Sequence, residues 1–268
     1  MTKERIKELV QNPDFIPDIY NYCDRWCDRC PFTQRCLNFA LSEEQFAEPG
    51  SRDISNKLFW QHLLETFRLT QEFLEDAVET SVDAPHHADV ESERAWEQRT
   101  WDSAEQHICS QAAKAYCALV DTWFKAAENP LASTRTPLQG HSNSHIASSL
   151  EALDDDARFE EAREIIRWYQ HQIYVKIMRA VTGQLAERSM LSNEHMPKDS
   201  DGSAKVALIG IDRSITAWMT LREYLPDAQD EILDLLLYLD RLRRKIERHF
   251  PRARAFIRPG FDEITPYP

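Results

Sequence analysis

Four cysteines near the start of the chain are the residues whose type and spacing point most directly to chemistry. Cys23, Cys27, Cys30 and Cys36 follow a C-x3-C-x2-C-x5-C pattern, so four of the six cysteines lie within 14 residues. Thiols clustered this closely in sequence are typical of metal ligation. Disulfide pairing is the alternative, and it is disfavoured because the chain shows no secretory signal that would send it to an oxidising compartment. The pattern therefore predicts that these four cysteines hold one metal centre.

Two kinds of centre take four thiolates, a tetrahedral zinc ion and an iron–sulfur cluster. Structural zinc sites usually draw their ligands from two separated pairs, whereas iron–sulfur ligands often form one compact run. The single run over residues 23–36 favours a [4Fe-4S] cluster, with zinc as the alternative. Because four thiolates leave no iron open to a substrate, we expect a structural, electron-transfer or sensing cluster. With zinc, the corresponding function is a metal-stapled helical module that binds a protein partner.

Part of the run resembles a motif of known iron–sulfur enzymes. Residues 27–36, CDRCPFTQRC, resemble the C-x2-C-x5-C staple of the iron–sulfur nucleases of the RecB and CRISPR-adaptation type. In those families an aromatic residue also follows the second cysteine closely, as Phe32 does here. The resemblance implies a [4Fe-4S] centre, with Cys23 as an added, local ligand. The sequence contains no D…ExK nuclease core, so the nuclease activity is not carried over.

The first three cysteines also resemble the C-x3-C-x2-C motif of the radical SAM enzymes. That resemblance implies an α/β barrel and one iron left open for S-adenosylmethionine. The sequence predicts no strands to build such a barrel, and Cys36 would fill the open iron. A radical SAM enzyme is therefore disfavoured.

The residues around the cysteines suit a negatively charged centre. Three arginines and three aromatic residues lie between or beside the ligands: Arg25, Arg29, Arg35, Trp26, Phe32 and Phe39. The arginines could offset the charge of four thiolates, whereas Asp24 and Asp28 would work against them. The aromatic rings could keep the centre dry. If this segment is helical, Cys23 and Cys27 share one face, and Pro31 ends the helix so that the chain can fold back.

A helical scaffold must position this centre, because glycine and proline are placed as in an all-α protein. The chain has only 6 glycines, too few for the tight turns of sandwiches and barrels. Long windows between its 13 prolines show apolar residues at helical spacing. These windows predict five long helices, at about 58–78, 90–127, 150–187, 204–224 and 227–249, with a bend or break inside the second. Three loops are predicted between them, at 83–90, 128–149 and 192–203.

The predicted organisation is a small cysteine-rich metal-binding module, residues 1–45, followed by a helical bundle, residues 46–268. The bundle ends in a basic helix and a tail, about 255–268, that is expected to run extended over the surface. On the second long helix the expected apolar positions are Trp101, Ala112, Ala115, Leu119 and Trp123. Cys109 and Cys117 on the same helix are expected to pack as small apolar residues.

Polar residues inside apolar helices form a second candidate site. The segment 164–181 is apolar on nearly all sides, so we expect it at the centre of the bundle. Glu164 and His171 share one face of this segment, and Asp212 and Arg213 interrupt the next apolar stretch. Brought together, these side chains could form the pocket of a bundle enzyme with acid–base chemistry. The alternative is that they are buried pairs that only satisfy one another.

Charge and hydropathy limit the classes of partner. The net charge of −13 repels phosphate backbones, so broad nucleic-acid binding is not expected. The exception is the segment 241–258, which holds eight cations and one acid. It predicts either a helix face paired with the acidic bundle or a patch for an anionic partner such as nucleic acid. No apolar stretch is long enough for a transmembrane helix, and a cytoplasmic location is expected.

Overall fold

Helices make up most of the chain in a computed structural model that describes residues 2–80, 87–127, 145–189 and 199–262. The α-helices in these ranges are α1 (Lys3–Val10), α2 (Leu37–Gln45), α3 (Lys57–Thr80), α4 (His87–Gln106), α5 (Ile108–Ala127), α6 (His145–Ser189), α7 (Asp199–Tyr224) and α8 (Gln229–His249). The same ranges contain short 3₁₀ turns but no β-strand, which confirms the predicted all-α fold. None of the helices described combines the length and the apolar character that crossing a membrane requires.

The structure confirms the predicted break in the second long helix and corrects the predicted loops. The segment 90–127 is divided at His107 into α4 and α5. Helices begin inside the three predicted loops, at His87, His145 and Asp199. The remaining parts of these loops lie outside the described residues. The junction predicted between the last two long helices is confirmed, because a short 3₁₀ turn separates α7 from α8.

Contacts within the chain define two compact units. The cysteine unit comprises Met1–Trp96 together with Ile257–Pro268, and the bundle unit comprises Glu97–Phe256. The division falls within α4. The cysteine unit thus contains α1, α2, α3 and the C-terminal segment.

In the cysteine unit, polar contacts tie three helices together. Arg5 on α1 forms an ion pair with Glu44 on α2, with an N–O distance of 2.6 Å. The side-chain amide of Gln45 on α2 donates a hydrogen bond to the carbonyl of His62 on α3 at 3.0 Å. Helix α2 is thereby fastened to both neighbours, and the four N-terminal cysteines lie on the chain that connects α1 to α2.

In the bundle unit, α5, α6, α7 and α8 form a four-helix bundle in which each helix packs against two neighbours. Neighbouring helices run antiparallel. Between α6 and α7, Glu187 accepts a hydrogen bond from Ser200, and Tyr169 accepts one from Arg213. Helix α5 runs antiparallel to α6, because Cys117 contacts Gln170 and the later Phe124 contacts the earlier Arg163. It also runs antiparallel to α8, because His107, just before α5, contacts His249, and the later Ala112 contacts the earlier Tyr238.

Aromatic side chains fill the centre of this bundle. Trp218 on α7 is fully buried, and its indole N–H donates a hydrogen bond to the Tyr116 hydroxyl on α5 at 3.0 Å. Trp123 packs edge to face against Trp218, with ring centroids 4.8 Å apart, and Phe124 is fully buried beside them. The aromatic core explains why α5 to α8 pack together, because each buried ring removes a large apolar area from water.

Helices α6 and α7 approach closely at Gly210. A Cβ atom at this position would lie 2.9 Å from Cδ1 of Tyr169 and 3.2 Å from Cγ1 of Ile173. Both neighbours are 1% exposed, so neither can move aside without disturbing the packed core. The absence of a side chain at Gly210 therefore sets the distance between these two helices.

We expect Gly210→Ala to destabilise the bundle by about 1–3 kcal/mol through overpacking, although alanine is the better helix former. Gly183→Ala is the matched control, because a Cβ there would lie at ordinary contact distances, 3.5 Å or more, from Ser200. That variant should be neutral or up to about 1 kcal/mol more stable. Urea unfolding followed by circular dichroism measures both changes. Equal effects of the two substitutions would contradict the close approach at Gly210.

Candidate metal centre

The four N-terminal cysteines lie on irregular chain between α1 and α2. Cys27 begins a 3₁₀ turn, Cys30 follows that turn directly, and Cys36 immediately precedes α2. The predicted helical face shared by Cys23 and Cys27 is absent here, because Arg25 between them has a φ of +60°. This left-handed conformation cannot occur inside an α-helix. The turns therefore bring the cysteines together in place of the predicted helix.

All four of these cysteines line one cavity. Each side chain is half-buried, and none of the six cysteines of the chain forms a disulfide. The three aromatic residues expected to keep the centre dry also line this cavity: Trp26, Phe32 and Phe39. Four unpaired thiols thus share a single space with largely aromatic walls.

The C-terminal segment supplies one wall of the cavity. Phe261 lines it and packs edge to face on Phe32, with ring centroids 5.0 Å apart. Residues 258–262 form a turn closed by an ion pair between Arg258 and Asp262 at 3.0 Å, so this part of the tail is not extended as predicted. Gly260 within the turn has a φ of +74°, and a Cβ there would lie 3.0 Å from two buried isoleucines. The close packing of this turn explains why the tail folds onto the cysteine unit.

Burial and backbone groups set the protonation of the thiols. The Phe32 N–H donates a hydrogen bond to the Cys30 sulfur at 3.4 Å, and the Cys23 thiol donates one to the Tyr20 carbonyl at 3.5 Å. Burial raises the pKa of the Cys27 and Cys30 thiols, and the neighbouring cysteines raise the pKa of Cys27 further. Sulfurs in this setting become thiolates when a metal replaces their protons.

The three nearby arginines have different roles. Arg25 lines the cavity, and its positive charge opposes the rise in the Cys27 pKa. Arg29 stacks on an aromatic wall, with its guanidinium carbon 4.1 Å from the centroid of the Trp26 ring. Arg35 donates a hydrogen bond to a backbone carbonyl of the preceding loop at 3.3 Å. Arg25 is thus the arginine placed to offset negative charge in the cavity.

The spacing of the sulfurs bears on the kind of centre that they could hold. A tetrahedral zinc ion holds its four sulfurs about 3.8 Å apart, because each Zn–S bond is about 2.3 Å long. Among the described residues, one group of three histidine, cysteine or acidic side chains has its ligand atoms all within 4.8 Å of one another. That group is His107, Cys109 and His249, which lie outside the N-terminal run. No three of the four N-terminal sulfurs are therefore that close. The thiolates around a [4Fe-4S] cluster lie farther apart than those around a single zinc ion, because the cluster is larger.

The second predicted set of polar residues is not gathered into a buried site. Glu164, His171 and Arg213 are exposed, and Asp212 is half-buried. Arg213 donates a hydrogen bond to a tyrosine hydroxyl on α6, and Asp212 forms an ion pair with Arg254 at 2.5 Å. The physical reason is that α6 keeps one solvent-facing stripe along the segment 164–181, despite its many apolar residues. The four side chains are therefore at or near the surface of the bundle and not enclosed in its core.

Ion pairs involve several cations of the basic segment 241–258. Arginines and acids form the following pairs: Arg243 with Asp212 and Asp240, Arg244 with Asp240, Arg254 with Asp212 and Glu247, and Arg258 with Asp262. Because Asp212 lies on α7, its two arginines fasten α8 and the chain that follows α8 to α7. These contacts favour the interpretation of the segment as a helix face paired with acidic residues.

The remaining two cysteines lie in the bundle unit. Cys117 is half-buried, and its thiol donates a hydrogen bond to the Gln170 carbonyl at 2.7 Å. Cys109 is fully buried, as expected for a packing residue. Burial raises the pKa of each thiol to about 11. Cys109 also lies beside His107 and His249, a grouping that the sequence did not reveal because the second histidine is far along the chain.

The candidate metal centre thus consists of Cys23, Cys27, Cys30 and Cys36, aromatic walls from both ends of the chain, and one nearby arginine. Comparisons of the chain with protein-family models, with curated proteins and with solved structures found no match.

Proposed function

We propose that Cys23, Cys27, Cys30 and Cys36 bind a [4Fe-4S] cluster. One observation carries the proposal: four half-buried thiols, none of them in a disulfide, line a single cavity with largely aromatic walls. The compact run of ligands in the sequence supports the same choice. A cytoplasmic location belongs to this proposal, since thiolate ligands persist in a reducing compartment.

The cluster's main role in this proposal is structural. Residues 11–36 contain only short 3₁₀ turns, so few backbone hydrogen bonds hold this part of the chain. Four metal–thiolate bonds would fix it and would also hold the start of α2. The Phe261 ring on the cavity wall would couple the C-terminal turn to the same centre.

Redox sensing is the second part of the proposal. When bound, a [4Fe-4S] cluster supplies one-electron redox chemistry, and four protein thiolates leave no iron free for a substrate. The chain's own residues control access to the site. Trp26 is 6% exposed and shields one wall of the cavity from solvent. Arg25 also lines the cavity but is exposed, so it adds positive charge at the cavity's edge. Asp24 also lines the cavity, so Arg25 supplies only part of the charge that a redox partner would meet there.

Anaerobic purification followed by absorbance and elemental analysis tests the proposal. We expect a brown protein with a broad band near about 400 nm and about four iron and four sulfide ions per chain. A colourless protein that holds one zinc ion per chain would overturn the cluster and support the zinc-stapled module. Reduction by dithionite, monitored by electron paramagnetic resonance, then tests the sensing role. A cluster that resists reduction at accessible potentials would leave the structural role alone.

A further inference from the structure

We propose that the bundle unit contains a second metal site, formed by His107, Cys109 and His249, that binds one zinc ion. The site lies in a different unit from the four N-terminal cysteines, and it does not depend on the proposed cluster. Its function would be to clip the start of α5 to the end of α8.

The fold brings the three donors together from two places in the sequence. His107 lies at the break between α4 and α5, Cys109 lies in the first turn of α5, and His249 is the last residue of α8. Because α5 and α8 are antiparallel, the start of one helix meets the end of the other. The ligand atoms lie within 4.8 Å of one another, and the two imidazole rings pack edge to face with centroids 4.8 Å apart.

The donor set selects the class of metal. One thiolate and two imidazoles are ligands that Zn²⁺ prefers, whereas Mg²⁺ and Ca²⁺ prefer oxygen. Zinc bonds of about 2.0–2.3 Å require donors about 3.5 Å apart, so the group must contract by about 1 Å. His249 is exposed at a helix end, and rotation of its side chain supplies this movement. Three protein donors leave a fourth position for water.

Metal binding at this site has identifiable costs. Cys109 keeps its proton in the metal-free chain, because burial raises its pKa to about 11 against the opposing charges of Lys245 and Arg248. Zinc binding therefore releases this proton to solvent as the Zn–S bond forms. The Nδ1 atom of His107 accepts a hydrogen bond from the Cys109 N–H at 3.2 Å, which caps α5. Zinc can bind His107 at Nδ1, which breaks the hydrogen bond from the Cys109 N–H. Alternatively, zinc binds at Nε2, and the imidazole proton then moves off that atom.

Zinc titration of the full-length protein, in competition with a chromophoric chelator, tests the site. His249→Gln removes an exposed ligand without disturbing the core, and Cys109→Ser removes the thiolate. We expect each variant to bind one equivalent of zinc fewer than the wild type, or to bind it at least about 100-fold more weakly. His171→Gln, which changes an exposed histidine elsewhere on the bundle, should match the wild type.

The thermal midpoint of the bundle gives a second readout. One equivalent of zinc should raise it in the wild type and in His171→Gln, but not in His249→Gln. Since His249→Gln changes an exposed side chain, its result stays interpretable even where Cys109→Ser fails to fold. Wild-type stoichiometry and affinity in His249→Gln would overturn the proposal. A loss of iron from the four N-terminal cysteines would not produce this pattern, because those ligands are intact in all these variants.

Discussion

Replacing Cys27 or Cys30 by serine is expected to lower the iron content of the anaerobically purified protein by about tenfold or more. Serine is nearly isosteric with cysteine, but its hydroxyl does not replace a thiolate as an iron–sulfur ligand. Because the surrounding chain has only short 3₁₀ turns, the cysteine unit should also lose stability on the order of several kcal/mol. Iron analysis, the band near about 400 nm and thermal unfolding measure these losses.

Cys117→Ser provides the matched control for these variants. It makes the same chemical change in the bundle unit, and a serine hydroxyl can still donate to the Gln170 carbonyl. Iron content should be unchanged in this variant. Full iron retention in both Cys27→Ser and Cys30→Ser would show that these residues are not ligands, whatever the stability of the proteins. A loss of iron in Cys117→Ser as well would point to general misfolding.

The fold class was predictable because helix formation depends largely on local information. Long proline-free windows with apolar residues at helical spacing predicted the long helices and the break between α4 and α5. The starts of the helices were not predictable in the same way. Asp199 begins α7 inside a segment of serine, aspartate and glycine that reads equally well as a loop. Serine and aspartate are favoured both in turns and in the first turn of a helix, so their presence cannot separate the two.

The buried faces of α4 and α5 differ from the apolar stripe predicted along the second long helix. Trp101 and Leu119 were expected to be buried, yet they are 52% and 42% exposed. The fully buried positions of α5 include Cys109, Tyr116, Val120 and Phe124. Trp101 precedes the break at His107 and Leu119 follows it, so one apolar stripe cannot run through both helices.

The two groups of candidate metal ligands differ in how far the sequence could reveal them. Four cysteines within 14 residues can be brought together by local turns alone, so their pattern was informative. The approach of His249 to Cys109 depends on the antiparallel packing of α5 and α8, which no local pattern encodes. The same holds for the contact of Phe261 with Phe32, which joins the two ends of the chain. Long-range contacts of this kind follow from tertiary packing alone.

Removing the central indole should cause the largest loss of stability in the bundle. Trp218 is fully buried, packs edge to face on Trp123 and donates a hydrogen bond to Tyr116. Trp218→Ala leaves a cavity where the ring was and is expected to cost about 3–5 kcal/mol. The loss of the indole donor adds to this cost, because the buried Tyr116 hydroxyl keeps one fewer partner. Urea unfolding of the full-length protein measures the change in free energy.

Two further variants separate cavity formation from the hydrogen bond and from a general effect of losing tryptophan. Trp101→Ala removes the same side chain from an exposed position on α4, so it should change stability by no more than about 0.5 kcal/mol. Tyr116→Phe keeps the packing but leaves the indole N–H of Trp218 without its acceptor, which should cost about 1–3 kcal/mol. If Trp218→Ala is no more damaging than Trp101→Ala, the aromatic centre does not hold the four helices together. Both Tyr116→Phe and Trp218→Ala remove the hydrogen bond between these two side chains. If the two substitutions lower the free energy of unfolding equally, the hydrogen bond, and not the packing of the indole ring, accounts for the stabilisation.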